Sequence, residues 1–189
     1  IMVIGGDQTL WIMRGDPADG GSIDLISNNI GIMGPDAYAW APNGDLYFLG
    51  NIGLFRLPAG GTSYPELVSE RRLDTFFTGI DFGSTEVRLV WDRDRKGLHI
   101  FLTPTNAGQH THIWWDENTD SFWKERYANE FGPTAVMNYD ADDPDDRAVL
   151  IGGVDGFVRM LDDATTTDDT TSSTQAILSH VLFPTISVT

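Results

Sequence analysis

The sequence predicts an all-β fold made of antiparallel hairpins, and three observations favour it. Short runs of alternating apolar and polar residues recur along the chain and are separated by turn-forming residues. No window of about 12 residues has the 3.6-residue period of a helix. The 189 residues include 20 Gly, 9 Pro and 6 Trp, which is typical of turn-rich β proteins, and the 41% apolar content suffices for one all-β unit over residues 1–189.

Five or more antiparallel hairpins are predicted along the chain. In the clearest one, Asn43-Gly44 supplies the positive φ that a tight turn needs between residues 37–40 and 46–49. The stretch 162–174 is low in complexity and is expected to be an exposed loop. The other paired runs are residues 9–13 with 22–26, 86–91 with 98–102, 112–115 with 121–124, and 149–151 with 157–161.

A weak internal repeat indicates how the hairpins are arranged. Ile4–Met13 aligns without a gap to Ile151–Met160, and successive units are spaced 44, 44 and 59 residues apart. A period of about 40 to 50 residues with four strands per unit is typical of β-propeller blades. Three such units and fragments fit in the chain, so a partial or small propeller is predicted, with a β-sandwich as the alternative. The equivalent turn positions are Thr9, Gly53, Gly97 and Gly156.

Charge and composition exclude several classes of function. With 12 basic and 28 acidic residues the formal net charge is −16, which argues against binding nucleic acid or anionic lipid through basic side chains. The absence of Cys excludes disulfides, thiolate metal sites and a Cys nucleophile. No apolar run approaches the roughly 18 residues that span a bilayer. Strand-like runs at residues 1–4 and 181–189 lead us to expect a segment of a longer chain, or a fold that a partner completes.

Neither a metal site nor a catalytic site is predicted, and no cofactor is expected. His110 and His112 share one strand face, but no third ligand lies near them in sequence, and solvent-facing histidines are the simpler interpretation. The acidic run Asp140–Asp146 departs twice from the helix-loop-helix calcium pattern; a looser calcium loop stays open beside a solvated loop. Two acidic pairs at hairpin turns are expected to be exposed and alike, unlike a glycosidase acid–base pair. These pairs are Asp92/Asp94 and Asp116/Glu117.

An interface with other proteins is the predicted functional surface. Small basic tips on an acidic body favour protein contacts, because a guanidinium forms planar, bidentate hydrogen bonds. The adjacent rings of Trp114 and Trp115 must point to opposite sides of their strand, so at least one is expected at a surface or an interface. The predicted interface residues are Arg71, Arg72, Arg93, Arg95, Trp114 and Trp115.

Two hairpin stretches, with the residues that follow them, carry a family resemblance. They are Ala37–Leu57 with Pro65–Asp74, and Gly152–Asp163 with Asp168, Asp169 and Ser179 behind it. This pattern resembles tail-tube proteins of short-tailed bacteriophages, of the nozzle or tail-needle-adaptor kind, over roughly residues 37–183. Members of that family are propeller-containing structural proteins of the virion, oligomeric around the DNA exit channel, and they are far longer than this chain.

The resemblance implies a non-catalytic scaffold in the tail or neck of a virion, made in the host cytoplasm. Its partners would be other tail or neck proteins and copies of itself; DNA would pass nearby without specific binding, and no membrane contact is expected. The alternative is a propeller that binds or hydrolyses glycans through exposed Trp and Asp side chains. The Trp residues considered for such a platform are Trp91, Trp114, Trp115 and Trp123.

Overall fold

The structure is a computed structural model that describes residues 1–70, 72–106, 110–126, 132–161, 167–169, 174–176 and 178–180. The all-β prediction is confirmed, with 49% of the residues in strands and 9% in helices. The helical parts are α1 (Asp74–Thr78) and single 3-10 turns at Pro17–Asp19, Ala59–Gly61 and Pro144–Asp146. The strands are β1 Met2–Gly5, β2 Leu10–Arg14, β3 Ser22–Ser27, β4 Tyr38–Trp40, β5 Leu46–Gly50, β6 Gly53–Leu57, β7 Glu66–Leu67, β8 Thr85–Asp92, β9 Gly97–Pro104, β10 Thr111–Asp116, β11 Ser121–Arg126, β12 Pro133–Tyr139, β13 Ala148–Gly153, β14 Val158–Met160, β15 Thr167–Asp169, β16 Thr174–Ala176 and β17 Leu178–His180.

The strands follow one another as antiparallel meanders. Sheet 1 has the order β1-β2-β3, sheet 2 the order β4-β5-β6-β7, and sheet 4 the order β12-β13-β14. Sheet 3 has the order β8-β9-β10-β11, with β17 added beside β11, and β15 pairs with β16 alone. All five predicted hairpins are therefore present as neighbouring antiparallel strands.

The four meanders pack in chain order, each sheet against the next. Leu10 of sheet 1 packs in one cluster with Phe48 of sheet 2. On the opposite face of sheet 2, Tyr47 stacks on Trp91 of sheet 3 with ring centroids 5.3 Å apart. Phe101, on the other face of sheet 3, packs with Val149 and Ile151 of sheet 4. Sheets 2 and 3 thus have apolar side chains on both faces, which is why their strands read as long apolar runs.

The first strands of sheets 2, 3 and 4 lie next to one another. The amide of Leu89 in β8 donates a hydrogen bond to the carbonyl of Asp36, just before β4, at 3.0 Å. On the other side of β8, the Nε of Arg88 donates to the carbonyl of Thr134 in β12 at 2.8 Å. The described residues form no closed ring of blades and no closed barrel. Their arrangement is compatible with both alternatives that the sequence left open.

The low-complexity stretch near the C-terminal end differs from its sequence prediction. The stretch 162–174 was expected to be a loop throughout, yet β15 occupies Thr167–Asp169 and pairs with β16, which begins at Thr174. Residues 162–166 and 170–173 lie outside the described ranges. Within those ranges no helix is long and apolar enough to cross a membrane.

The Asn43-Gly44 turn is held by Asp45, whose side chain is almost fully buried. Gly44 has a φ of 87°, as predicted. One carboxylate oxygen of Asp45 accepts from the Nε of Arg56 at 2.7 Å, and the other accepts from the amide of Ala59 at 2.8 Å. This carboxylate therefore ties the β4–β5 turn to the end of β6.

We expect Asp45→Ala to lower the free energy of unfolding by about 2 kcal/mol, because it removes an almost fully buried carboxylate that accepts hydrogen bonds from Arg56 and Ala59. Urea unfolding of the two proteins measures the difference. Asp140→Ala is the matched control: Asp140 also pairs with an arginine, at 2.9 Å, but both partners are more than half exposed. That change should cost less than about 1 kcal/mol. Equal losses in the two variants would contradict the role assigned to Asp45.

Candidate functional site

Sheet 3 contains a buried chain of four titratable side chains, one on each of its first four strands. Asp92 ends β8, His99 lies on β9, His112 on β10 and Glu125 on β11. Asp92 Oδ2 is 3.2 Å from His99 Nε2, His99 Nδ1 is 2.8 Å from His112 Nε2, and His112 Nδ1 is 3.1 Å from Glu125 Oε2. We call these four residues the His–carboxylate chain.

Aromatic rings and a guanidinium surround this chain. The rings of His99 and Trp114 are 4.5 Å apart, and the rings of His112 and Phe101 are 4.3 Å apart. The guanidinium of Arg95 lies 4.3 Å from the centre of the Trp114 ring and 3.8 Å from Glu125. Both imidazoles are 0% exposed. The two imidazoles of the His–carboxylate chain are therefore shielded from water, and only its two carboxylate ends reach solvent.

Burial sets the protonation states in the middle of the chain. It lowers the pKa of His99 to about 4, against the opposing effect of the Asp92 hydrogen bond, and it also lowers the pKa of His112. Burial alone would raise the pKa of Glu125, but the His112 hydrogen bond and nearby positive charges bring it to about 2. Burial therefore favours two neutral imidazoles at pH 7. Two neutral rings carry two N–H protons for three contacts, so the 2.8 Å contact between His99 Nδ1 and His112 Nε2 has no proton when each ring donates to its own carboxylate.

The Asp92 end of the chain opens on a polar cleft between the β8–β9 turn and sheet 4. The cleft has a volume of about 330 Å³, and its lining includes four acidic and three basic residues. Arg93 and Asp140 close one side of it as an ion pair at 2.9 Å. Asp92 itself is held by the amides of Asp94 and Arg95, each donating to Oδ1 at 2.9 Å. These hydrogen bonds fix the carboxylate in place.

The solvent-facing interpretation of His110 and His112 is wrong. His110 is 3% exposed and His112 is 0% exposed. Sheet 3 is covered by sheet 2 on one face and contacts sheet 4 on the other, so neither face is open to solvent at these positions. Within the described ranges, no group of three or more His, Asp or Glu side chains could hold a metal ion. Sequence reasoning missed the roles of Asp92, His99 and Glu125. One sequence signal was available: on the facing strands β8 to β11, these polar residues alternate with bulky apolar ones, which is compatible with polar side chains buried together in one sheet.

The acidic turn pairs are not alike, contrary to expectation. Asp92 is buried in the His–carboxylate chain, whereas Asp94 is exposed. Asp116 is half-buried and accepts from the amide of Asn118 at 2.8 Å, while Glu117 is exposed. The residues of the acidic run 140–146 are exposed except for a half-buried Ala141.

The predicted interface residues comprise four arginines and two tryptophans. Arg72 forms an ion pair with Asp120 and is 41% exposed, Arg93 is exposed, and Arg95 is half-buried against Trp114. Their role in an interface stays a prediction. Arg71 lies outside the described residues.

The expectation that one ring of Trp114-Trp115 reaches a surface is wrong. Trp114 is 5% exposed and packs on His99, while Trp115 is 4% exposed and packs on Tyr47 with ring centroids 5.1 Å apart. Opposite faces of the strand are both buried, because sheet 3 is an inner layer. Trp91 is also buried, at 4% exposed, so these three rings have almost no surface for a sugar or a partner.

Two other surfaces are apolar and exposed, and they lie at the two ends of the series of sheets. Strand register places six apolar side chains together on the face of sheet 1 that points away from sheet 2. It does the same on the face of sheet 4 that points away from sheet 3. End face 1 comprises Met2, Ile4, Trp11, Met13, Ile23 and Leu25. End face 4 comprises Ala135, Met137, Tyr139, Leu150, Val158 and Met160.

Neither end face has a charged side chain. Arg14 and Asp24, the charged residues of sheet 1, lie on its opposite face and form an ion pair at 2.6 Å. Arg159 of β14 also lies on the inner face, opposite Ile151, and pairs with Asp155 at 2.5 Å. In a chain of net charge −16, two uncharged sheet faces are exceptional surfaces and are the best candidates for protein contacts.

No protein-family model matches the chain, and no curated protein is significantly similar to it.

Proposed function

We propose that this chain is a non-catalytic structural subunit whose four meanders are successive blades of a β-propeller, and that it belongs to the tail or neck of a short-tailed bacteriophage. The observation that carries the proposal is the pair of uncharged end faces on a series of sheets packed in chain order. Exposed apolar faces of this size are a mark of surfaces that bind other proteins. The sequence resemblance supplies the phage tail as their setting.

The propeller arrangement is supported by the order of contacts. Each internal sheet packs one face on the preceding sheet and the other face on the following sheet. The first strands of sheets 2, 3 and 4 adjoin one another, as innermost strands do around a propeller axis. In a β-sandwich, by contrast, all strands belong to two facing sheets.

A structural role also suits the His–carboxylate chain. Its imidazoles are fully buried and its Asp92 is held by three hydrogen-bonding partners, so the chain can rigidify sheet 3. The side chains that would form a sugar platform in the glycan alternative are mostly buried. The acidic loop 140–146 is exposed and would repel a passing DNA duplex.

An amber mutation in the gene, tested in its source phage, examines this proposal. We expect particles grown on a non-suppressing host to have filled heads but incomplete tails in electron micrographs, and purified wild-type particles to contain the chain in fixed stoichiometry. Purified protein should neither bind glycans on an array nor shift duplex DNA at moderate salt. Complete, infectious tails without the chain, or hydrolysis of a glycan by the purified protein, would overturn the proposal.

A further inference from the structure

We infer that a second copy of this chain covers the end faces, with end face 1 of each copy packed on end face 4 of the other. This inference rests on the propeller arrangement proposed above and names the partner of the two end faces. It follows from the direction of packing, the chemistry of the two faces, their area and the need for closure.

The direction of packing makes the two end faces a matched pair. Inside the chain, contacts join a sheet to the next sheet along the sequence: Leu10 to Phe48, Tyr47 to Trp91, and Phe101 to Val149 share clusters or stacked rings. End face 1 is the face that a preceding sheet would cover, and end face 4 is the face that a following sheet would cover. Packing one on the other therefore continues the internal series.

The chemistry of the faces selects an uncharged partner. Any side chain packed on Trp11 or Leu25, or on Val158 or Met160, meets only apolar neighbours on the strands beside them. A charged partner would have to bury unpaired charge there, which is costly. A copy of this chain supplies an uncharged sheet face to each end.

The area is sufficient for a stable contact. The large apolar side chains of the two end faces are mostly about half exposed, from 36% for Trp11 to 70% for Val158. Together they present on the order of 900 Å², close to the roughly 800 Å² per partner that a standard stable interface buries.

Closure selects two copies. A head-to-tail contact between unlike faces either closes into a ring or continues as a filament. Two copies of the four meanders that the structure describes supply eight blades, and rings of about four to eight blades are the usual range for propellers. Two equivalent contacts then cover all four end faces.

Light scattering after size-exclusion chromatography measures the assembly directly. We expect wild-type protein to have twice the 20.9 kDa mass of one chain. Leu25→Glu on end face 1 and Val158→Glu on end face 4 should each give monomers, with a dimer dissociation constant raised at least about 100-fold. Thermal melts should show both variants folded, since the two positions are 47% and 70% exposed. Ile52→Glu is the matched control: Ile52 is 43% exposed in the β5–β6 turn, away from both faces, and this variant should stay dimeric.

Mixing the two monomeric variants tests the head-to-tail geometry. Leu25→Glu keeps end face 4 intact and Val158→Glu keeps end face 1 intact, so an equimolar mixture should form a mixed dimer through one contact. This dimer should be weaker than the wild-type dimer, because one contact buries about half of the area that two contacts bury. A variant that dimerises by itself would mean that like faces pair, and a wild-type filament would mean that the contact does not close; either result overturns the inference. A wild-type monomer whose end faces bind a different tail protein also overturns it, while leaving the proposed tail function intact. Tails that form normally without the chain would instead contradict the proposed function.

Discussion

Lowering the pH from 7 to 5 is expected to reduce the free energy of unfolding by about 2 kcal/mol through His99 alone. Burial holds the pKa of His99 near 4, whereas the ring titrates at its ordinary value of 6.5 in the unfolded chain. The unfolded state therefore binds the proton first as the pH falls. Stability from this group is complete above pH 6.5 and is lost as the pH falls towards 4. His112 shifts in the same direction and adds to the loss. Urea unfolding at several pH values measures the slope.

A variant with both imidazoles replaced isolates this effect. His99→Gln combined with His112→Gln keeps amide groups near Asp92 and Glu125 but removes both titrations. The free energy of unfolding that is lost between pH 7 and pH 5 should therefore be smaller in this variant than in wild type, by about 2 kcal/mol or more. His110→Gln is the matched control. His110 lies outside the His–carboxylate chain, so this change should remove only a smaller part of the pH-dependent loss of unfolding free energy. If the double variant does not fold, proton NMR of the wild-type rings gives the pKa values directly. A His99 ring that titrates near 6.5 would contradict the burial argument.

The fold class and the hairpins were predictable from sequence because they depend on local patterns. Asn43-Gly44 required a positive φ, and the structure has it at Gly44. Alternation within residues 86–91 and 98–102 gave the correct pairing of β8 with β9. The relative positions of the sheets were not predictable in the same way, since they depend on contacts between residues far apart in sequence.

The burial of the histidines was not predictable because it depends on the layer to which sheet 3 belongs. A sheet with one solvent-exposed face would expose His112 and one of the two adjacent Trp rings, because successive side chains of a strand point to opposite faces. Sheet 3 is instead covered by sheet 2 on one face and contacts sheet 4 on the other. The sequence signal of an inner layer was present in β9, where residues 97–103 are all buried. This signal was not used in the sequence prediction, so the contacts of His112 with His99 and Glu125 were not predicted.

Gly97 lies where sheet 3 is packed so closely that there is no room for a Cβ atom. It begins β9 opposite Asp92 and Asp116, in the inner layer of the fold. A Cβ at this position would lie 2.5 Å from Cζ2 of Trp114 and closer still to the carbonyl oxygen of Trp115. Neither neighbour can move freely, because the Trp114 ring is held between His99 and Arg95 and the carbonyl belongs to β10.

Gly97→Ala is therefore expected to lower the free energy of unfolding by about 3 kcal/mol or more, at the upper end of the cost of overpacking a core. The matched control is Gly152→Ala, also within a strand. A Cβ there would meet its nearest neighbour, the Cβ of Ala135, at 3.4 Å, an ordinary contact. Since Ala loses less backbone entropy on folding than Gly, that change should be neutral or stabilising by up to about 1 kcal/mol. Urea unfolding of the two variants beside the wild-type protein decides the matter. Similar stability for Gly97→Ala and Gly152→Ala would mean that β9 and β10 are not packed as tightly as their contacts indicate, and that the inner layer which buries the His–carboxylate chain is looser than the structure describes.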